Sequence, residues 1–233
     1  MSVFRRLFGI FFDPGRTLRS IAERPVWVDA LIIMLILVSL YSYLVFPEGQ
    51  KDSLAFLEDN AAQFKERWGE QRYDFSIDRI KGQDRVLTSF LITPVTFLIG
   101  LLFSALIILG MGRIISTEGH FLQVFSSLLH ANFVDKMLGN ALRIGLVFGR
   151  KFVVQTSTSL TVFFPNLDAM STSYGILSQI DFFQLWMFGL LGIGLAASFK
   201  INLKKALVIS FTFWFLKTSW MVALTLARLR MLP

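Results

Sequence analysis

The chain contains no cysteine. Disulfides, thiolate nucleophiles, zinc–thiolate sites and palmitoyl anchors are therefore excluded, and the redox compartment is left open. Histidine is nearly missing as well: His120 and His130 are the whole supply, too few and too isolated for a metal site. There is no P-loop, no Gly-rich dinucleotide fingerprint, no nucleophile elbow and no His-Glu-x-x-His. No enzyme activity and no cofactor are expected. Charge is scarce too, at 17% of residues against 54% hydrophobic, with a mean hydropathy of +0.60. A soluble domain carries about 25% charged residues. The 25 Phe and 8 Met sit in long apolar runs, which leave too few polar residues to cover a water-facing domain. The pattern predicts an all-α integral membrane protein with a single membrane domain.

A helix needs about 20 apolar residues to cross a hydrocarbon layer roughly 30 Å thick. Segments 26–46, 86–111, 206–226 and the slightly short 182–199 qualify. The run at 26–46 has no small-residue cleavage site after it and is expected to stay as the first span. Segment 121–149 is long enough but carries His130, Asn132, Asp135, Lys136, Asn140 and Arg143. It reads either as a polar-lined span or as a re-entrant or interfacial helix followed by a span. Pro94 inside the second span predicts a kink near 90–94. Gly145 with Gly149, Gly192 with Ala196, and Gly194 with Ser198 form small-xxx-small pairs that allow close helix approach.

Residues 1–25 read as two short basic amphipathic helices. Phe4, Leu7, Phe8 and Phe11 recur at helical spacing, with Arg5 and Arg6 to the other side. Asp13-Pro14 is an N-cap followed by proline at the first helical position. Leu18 and Ile21 make the second stripe, and Pro25 ends it. This segment is expected at the membrane surface, with Phe4, Arg5, Arg6, Phe8 and Phe11 in the headgroup layer. The extramembrane loop 47–85 holds Leu54, Leu57, Ala61, Phe64 and Trp68 at 3-4-3-4 spacing. These form the stripe of a helix that either rests on the membrane or on neighbouring loops, or docks a partner. Stretch 73–85 alternates acids and bases and reads as a solvated connector. Stretch 155–180 is rich in Ser and Thr and reads as a loop or short interfacial helix.

Five Arg precede the first span, and Lys51 and Lys65 follow it within about 20 residues. The positive-inside rule places the N-terminus in the cytoplasm. The formal charge of +7 is read the same way, as basic residues beside anionic headgroups, so no nucleic acid is expected. Charge counting leaves four and five spans both open. With four, the C-terminus is cytoplasmic.

Ionisable groups at membrane depth are the unusual feature. Asn132, Lys136, Asn140 and Arg143 share one face at spacings of four, four and three. Asp135 is adjacent and can pair with Lys136, Arg143 or Lys217. Lys217, between Trp214 and Trp220, would cost about 2.5–3.5 kcal/mol if charged and lipid-facing. These six are the candidate intramembrane polar network. It reads as a device fixing helix packing, as an ion or solute path, or as a contact for a partner.

Three stretches carry a family resemblance: Phe12-Asp13-Pro14-Gly15-Arg16-Thr17-Leu18 leading to Pro25-Val26-Trp27, Gly119-His120-Phe121-Leu122-Gln123-Val124, and Asp181-Phe182-Phe183-Gln184-Leu185-Trp186 with Gly192-Ile193-Gly194-Leu195 and Lys204-Lys205-Ala206. In order and spacing they resemble the Yip family of Ypt/Rab-interacting membrane proteins, in its bacterial branch. Where that family opens its third span with proline, this chain has Ala131-Asn132-Phe133-Val134-Asp135, and the loop 47–85 is longer than usual. The resemblance implies a Yip-like transmembrane domain over 26–233 with five spans and a cytoplasmic N-terminus, in a bacterial inner membrane. It also implies a non-enzymatic scaffold, adaptor or accessory subunit of a membrane transport or trafficking complex. Expected partners are the lipid bilayer and other membrane proteins, such as those of a transporter complex, or further copies of the chain. The competing expectation is a transporter or channel component that uses the intramembrane charges.

Overall fold

The computed structural model describes residues 2–150, 153, 158–167 and 171–231. Among these the chain is helical, and its β pairing is one isolated antiparallel bridge between Ser159 and Asp181. The first half contains α1 (Val3–Phe12), α2 (Pro14–Glu23), α3 (Val28–Asp59), α4 (Ala61–Trp68), α5 (Glu70–Lys81) and α6 (Arg85–Ile115). The second half contains α7 (Phe121–Phe133), α8 (Asn140–Arg150), α9 (Thr172–Leu177), α10 (Phe182–Ser198) and α11 (Leu203–Met231). Among the described residues three helices are long and apolar enough to cross a membrane: α3, α6 and the Leu203–Ala227 part of α11. Helix α10 is apolar but has only 17 residues. In the stretch 155–180, positions 155–157 and 168–170 lie outside the described residues.

Proline and charge leave their marks inside two of the rods. Pro94 has no N–H and crowds the carbonyl one turn earlier. Just before it, Thr88–Ile92 is π-helical, and the Thr93 N–H donates to the Thr88 carbonyl. The predicted kink region is thus a widened turn. A second π turn, Val134–Gly139, joins α7 to α8, with the Asn140 N–H donating to the Asp135 carbonyl.

Glycine ties one end of the bundle together. A Cβ on Gly112 or Gly119 would fall 2.0 or 2.5 Å from the Phe199 ring. That ring sits where only glycine leaves room, and Gly119 also adopts φ +95°. The Ser116 hydroxyl donates to the Phe199 carbonyl at 2.7 Å. Helix α2 belongs to this end as well. The Gln123 side-chain amide donates to the Ala22 carbonyl at 2.9 Å, and its oxygen accepts from the His120 N–H. Leu18, Ile21 and Ala22 are buried, with α2 against α7 and α10. The apolar side of α2 is therefore occupied by the bundle rather than turned to lipid.

Helix α1 departs further from its sequence reading. Ile10 is buried, Leu7 and Phe11 pack on the core, and Phe4, Phe8 and Phe12 project outward. The membrane-surface assignment of Arg6 is corrected: it is 4% exposed and ion-paired to Asp29 at the start of α3. A buried guanidinium needs a carboxylate partner, and that partner lies 23 residues away, beyond any local pattern. Arg5 is exposed.

The loop 47–85 is structured. Helix α3 passes through Pro47 and runs on to Asp59. It breaks at Asn60, whose side-chain amide donates to the Phe56 carbonyl at 2.9 Å. Gly69, at φ +81°, then turns α5 back on α4. The stripe read as one helix is therefore split between α3 and α4. Leu57, Phe64 and Tyr73 form a second small core, flanked by Phe56, Ala61, Trp68, Ile77 and Ile80. As a docking face the stripe is largely used up: Phe64 is fully buried, Leu57 nearly so, and Leu54 half-buried. Stretch 73–85 is not a plain connector, since Tyr73, Ile77 and Ile80 supply the covering side.

Candidate functional site

The π turn at Val134–Gly139 organises the charged residues. An extra residue in one turn rotates the following helix by about 100° relative to the preceding one. Asn132, before the turn, and Asp135 and Lys136, within it, line a cleft among α6, α7, α10 and α11. Asn140 and Arg143, on the far side, swing toward the N-terminus of α10. The single face inferred from sequence spacing is therefore divided in two.

Arg143 is the hub of the second group. Its Nη2 donates to Asp135 Oδ1 at 2.8 Å and to Asp181 Oδ2 at 2.9 Å. Its Nη1 donates to Asn140 Oδ1 at 2.9 Å, and its Nε to Thr158 Oγ1 at 3.1 Å. The Thr158 hydroxyl in turn donates to Asp181. Asp135 has a second cation, Lys136, at 2.7 Å. Asp135 and Asp181 are both buried. Burying a carboxylate is expensive unless it is paired and hydrogen-bonded, and here each one is both. Gly139 makes the arrangement possible: a Cβ there would lie 3.0 Å from Arg143 Nη1, 3.1 Å from Phe183 and 3.2 Å from Asp135 Oδ1.

Asp181 is the member that the network reading lacked. It is the N-cap of α10, and its Oδ1 accepts from the Phe183 and Gln184 amides at 2.8 and 3.2 Å. An Asp directly before an apolar run is a recognised helix-start signal, so this role was available from sequence. Thr158 carries no such signal.

Of the six candidates, Asp135, Lys136, Asn140 and Arg143 come together. Asn132 does not join the ion pairs; its amide donates to the Leu128 carbonyl one turn back at 2.8 Å, and the residue lines the cleft. Lys217 also lines the cleft, with its Nζ 5.9 Å from the Phe188 ring centroid, and among the described residues it forms no ion pair. The small-residue pairs divide as well. A Cβ on Gly192 would come within 2.5 Å of Leu207, and one on Gly194 within 2.7 Å of Ser127. Gly145 and Gly149 meet nothing within 4 Å and face outward. Among the described residues, no three His, Asp or Glu side chains converge as a metal site requires.

These features define a polytopic helical membrane protein in which buried charges join helices to one another. The Yip1 domain matches residues 8–224, nearly the whole length, and the chain belongs to the Yip1 domain family. No curated protein and no solved structure matches the chain.

Proposed function

We propose that the protein is a non-enzymatic membrane scaffold or adaptor, an accessory subunit of a membrane transport or trafficking assembly. One observation carries this reading: Asp135 and Asp181, the buried carboxylates of the network, are both engaged by Arg143. That leaves their chemistry spent on holding α7, α8 and α10 together, with no acid–base pair among the described residues poised toward a substrate. Membership of a family that is not an enzyme family and is associated with membrane traffic supports it. Contacts to other membrane proteins are assigned to the outward Phe4, Phe8 and Phe12 ridge of α1 and to the outward Gly145 and Gly149 of α8.

The topology belongs to the same proposal: five crossings formed by α3, α6, the α7–α8 rod, α10 and α11, with the N-terminus in the cytoplasm of a bacterial inner membrane. Two things support it. The turns at 116–120 and 199–202 meet at the end where α2 sits. That end is rich in Arg16, Arg19, Arg24, Lys200, Lys204 and Lys205, whereas 47–85 holds nine acidic and seven basic residues.

The test is purification of the tagged full chain in mild detergent from its native host. A membrane protein recovered in stoichiometric amount, and lost when Phe4, Phe8 and Phe12 become Ser, fits the adaptor reading. Recovery of the chain alone, with solute flux in proteoliposomes that depends on Lys217, overturns it. That outcome would favour the second reading, a transporter or channel component, for which the open cleft at Lys217 is the motivating observation.

A further inference from the structure

The ion-pair clamp does not account for the cleft beside it. The cavity is about 210 Å³ and is shared by α6, α7, α10 and α11. Lys136 and Lys217 both line it. Counting the clamp and cleft together, Lys136, Arg143 and Lys217 give three positive charges against two negative, Asp135 and Asp181. One cation is in excess, in a region with little water to solvate it. The clamp has no need of that cation, since Asp135 and Asp181 are satisfied by Lys136 and Arg143.

The opening of the cleft lies between Gly100 of α6 and Lys217 of α11, both exposed. Both helices are candidate spans, so the opening faces the lipid phase. The wall beneath is apolar, with Phe97 and Phe213. Gln184 adds a polar side chain whose amide is engaged by no described residue. The Asp135 carboxylate also lines the cleft but is neutralised by Lys136 and Arg143. The Lys217 ammonium, with the Asn132 and Gln184 amides over an apolar wall, therefore suits an anion carried on a hydrocarbon tail. The volume holds a phosphate or carboxylate head but not the tail, which would lie along the lipid-facing sides of α6 and α11.

We propose that this cleft binds one anionic amphiphile, an acyl chain bearing a phosphate or a carboxylate, with Lys217 as its counter-cation and Lys136, already paired with Asp135, beside it. The proposal does not rest on the adaptor reading and would hold for a transporter component equally.

The experiment is native mass spectrometry of the full chain in mild detergent, titrated separately with phosphatidylglycerol, oleate and phosphatidylcholine. One anionic amphiphile per chain is expected. Lys217→Met should lower its affinity by about tenfold or more, the loss expected for a hydrogen bond to a charged group, and Lys217→Arg should retain it. Gly100→Leu should weaken binding comparably while leaving both lysines in place, because a Cβ there meets nothing within 4 Å and the longer side chain fills the opening. Lys204→Met, at the basic end of the bundle, should change nothing. Preference for phosphatidylglycerol identifies a membrane phospholipid, and preference for oleate a free fatty acid; either supports the site. Phosphatidylcholine binding as tightly as the anionic ligands overturns the proposal. So does unchanged binding in Gly100→Leu, which decides the matter alone if Lys217→Met fails to fold.

Discussion

Replacing Arg143 with Met removes the hub of the clamp while keeping much of its volume. Asp135 would keep Lys136 at 2.7 Å. Asp181 would keep the Thr158 hydroxyl and two α10 amides but lose its cation. Breaking a buried ion pair from one side costs about 3–5 kcal/mol. The surviving hydrogen bonds place this variant near the low end, at about 3 kcal/mol. For a chain of this size that is a fall of about 6–12 °C in apparent melting temperature. The second arm adds Asp181→Asn, which discharges the stranded group but keeps the cap, since Asn is as good an N-cap as Asp. The double variant should regain at least about 1 kcal/mol relative to Arg143→Met, a coupling that independent sites do not show. The assay is tryptophan-monitored unfolding in detergent, on wild type, both single variants and the double. Arg143→Met within about 0.5 kcal/mol of wild type, or strictly additive effects, would show that the ion pairs do not hold these helices together.

Gly139→Ala should destabilise by about 1–3 kcal/mol, the range for overpacking, because the new methyl group meets Arg143, Phe183 and Asp135 at 3.0–3.2 Å. Gly145→Ala, six residues on with open space around it, should instead stabilise by up to about 1 kcal/mol through helix propensity; the same unfolding assay reads both. The absence of cysteine makes single-cysteine labelling free of background. With five crossings, Gln71→Cys should react with an impermeant maleimide in intact bacterial cells and Lys204→Cys only after lysis; the reverse pattern would invert the topology. A spin label at Phe8→Cys should report greater exposure to oxygen than to a water-soluble nickel complex if the outward ridge of α1 enters the bilayer, and the opposite ratio would leave that ridge in water.

Composition and apolar run length were enough to read an all-helical membrane protein, because crossing a hydrocarbon layer imposes a length and an apolarity that few other structures need. The start of α2 was equally legible, since Asp13 and Pro14 act locally. What was hidden depended on distant contacts. Arg6 looked like a headgroup residue because its partner Asp29 is on another helix. The fold-back of α5 was masked by the alternating charges of 73–85, although Tyr73, Ile77 and Ile80 repeat at four and three. Gly145 and Gly149 had the same spacing as the glycine pairs of α10, and only the placement of neighbouring helices separates them. The polar face of 121–149 was read with uniform helical spacing, and the π turn divides it.

The clamp can be traced to the length of one helix. At about 1.5 Å per residue, the 17 residues of α10 extend about 25 Å, short of a hydrocarbon layer roughly 30 Å thick. If its C-terminal end lies with the basic turn at Lys200, its N-terminal amides fall inside the apolar layer, where unpaired N–H groups are costly. Asp181 satisfies two of them directly. A buried carboxylate needs a cation, which Arg143 provides, and the π turn with Gly139 opens the space Arg143 occupies. Asp135 and Lys136 complete the set as a second ion pair beside the first. The series runs from a short helix to four buried or half-buried charges, each with an opposite charge beside it. Lys217 is paired with none of them, and so Lys217, not Arg143, is the cation left for an anionic ligand.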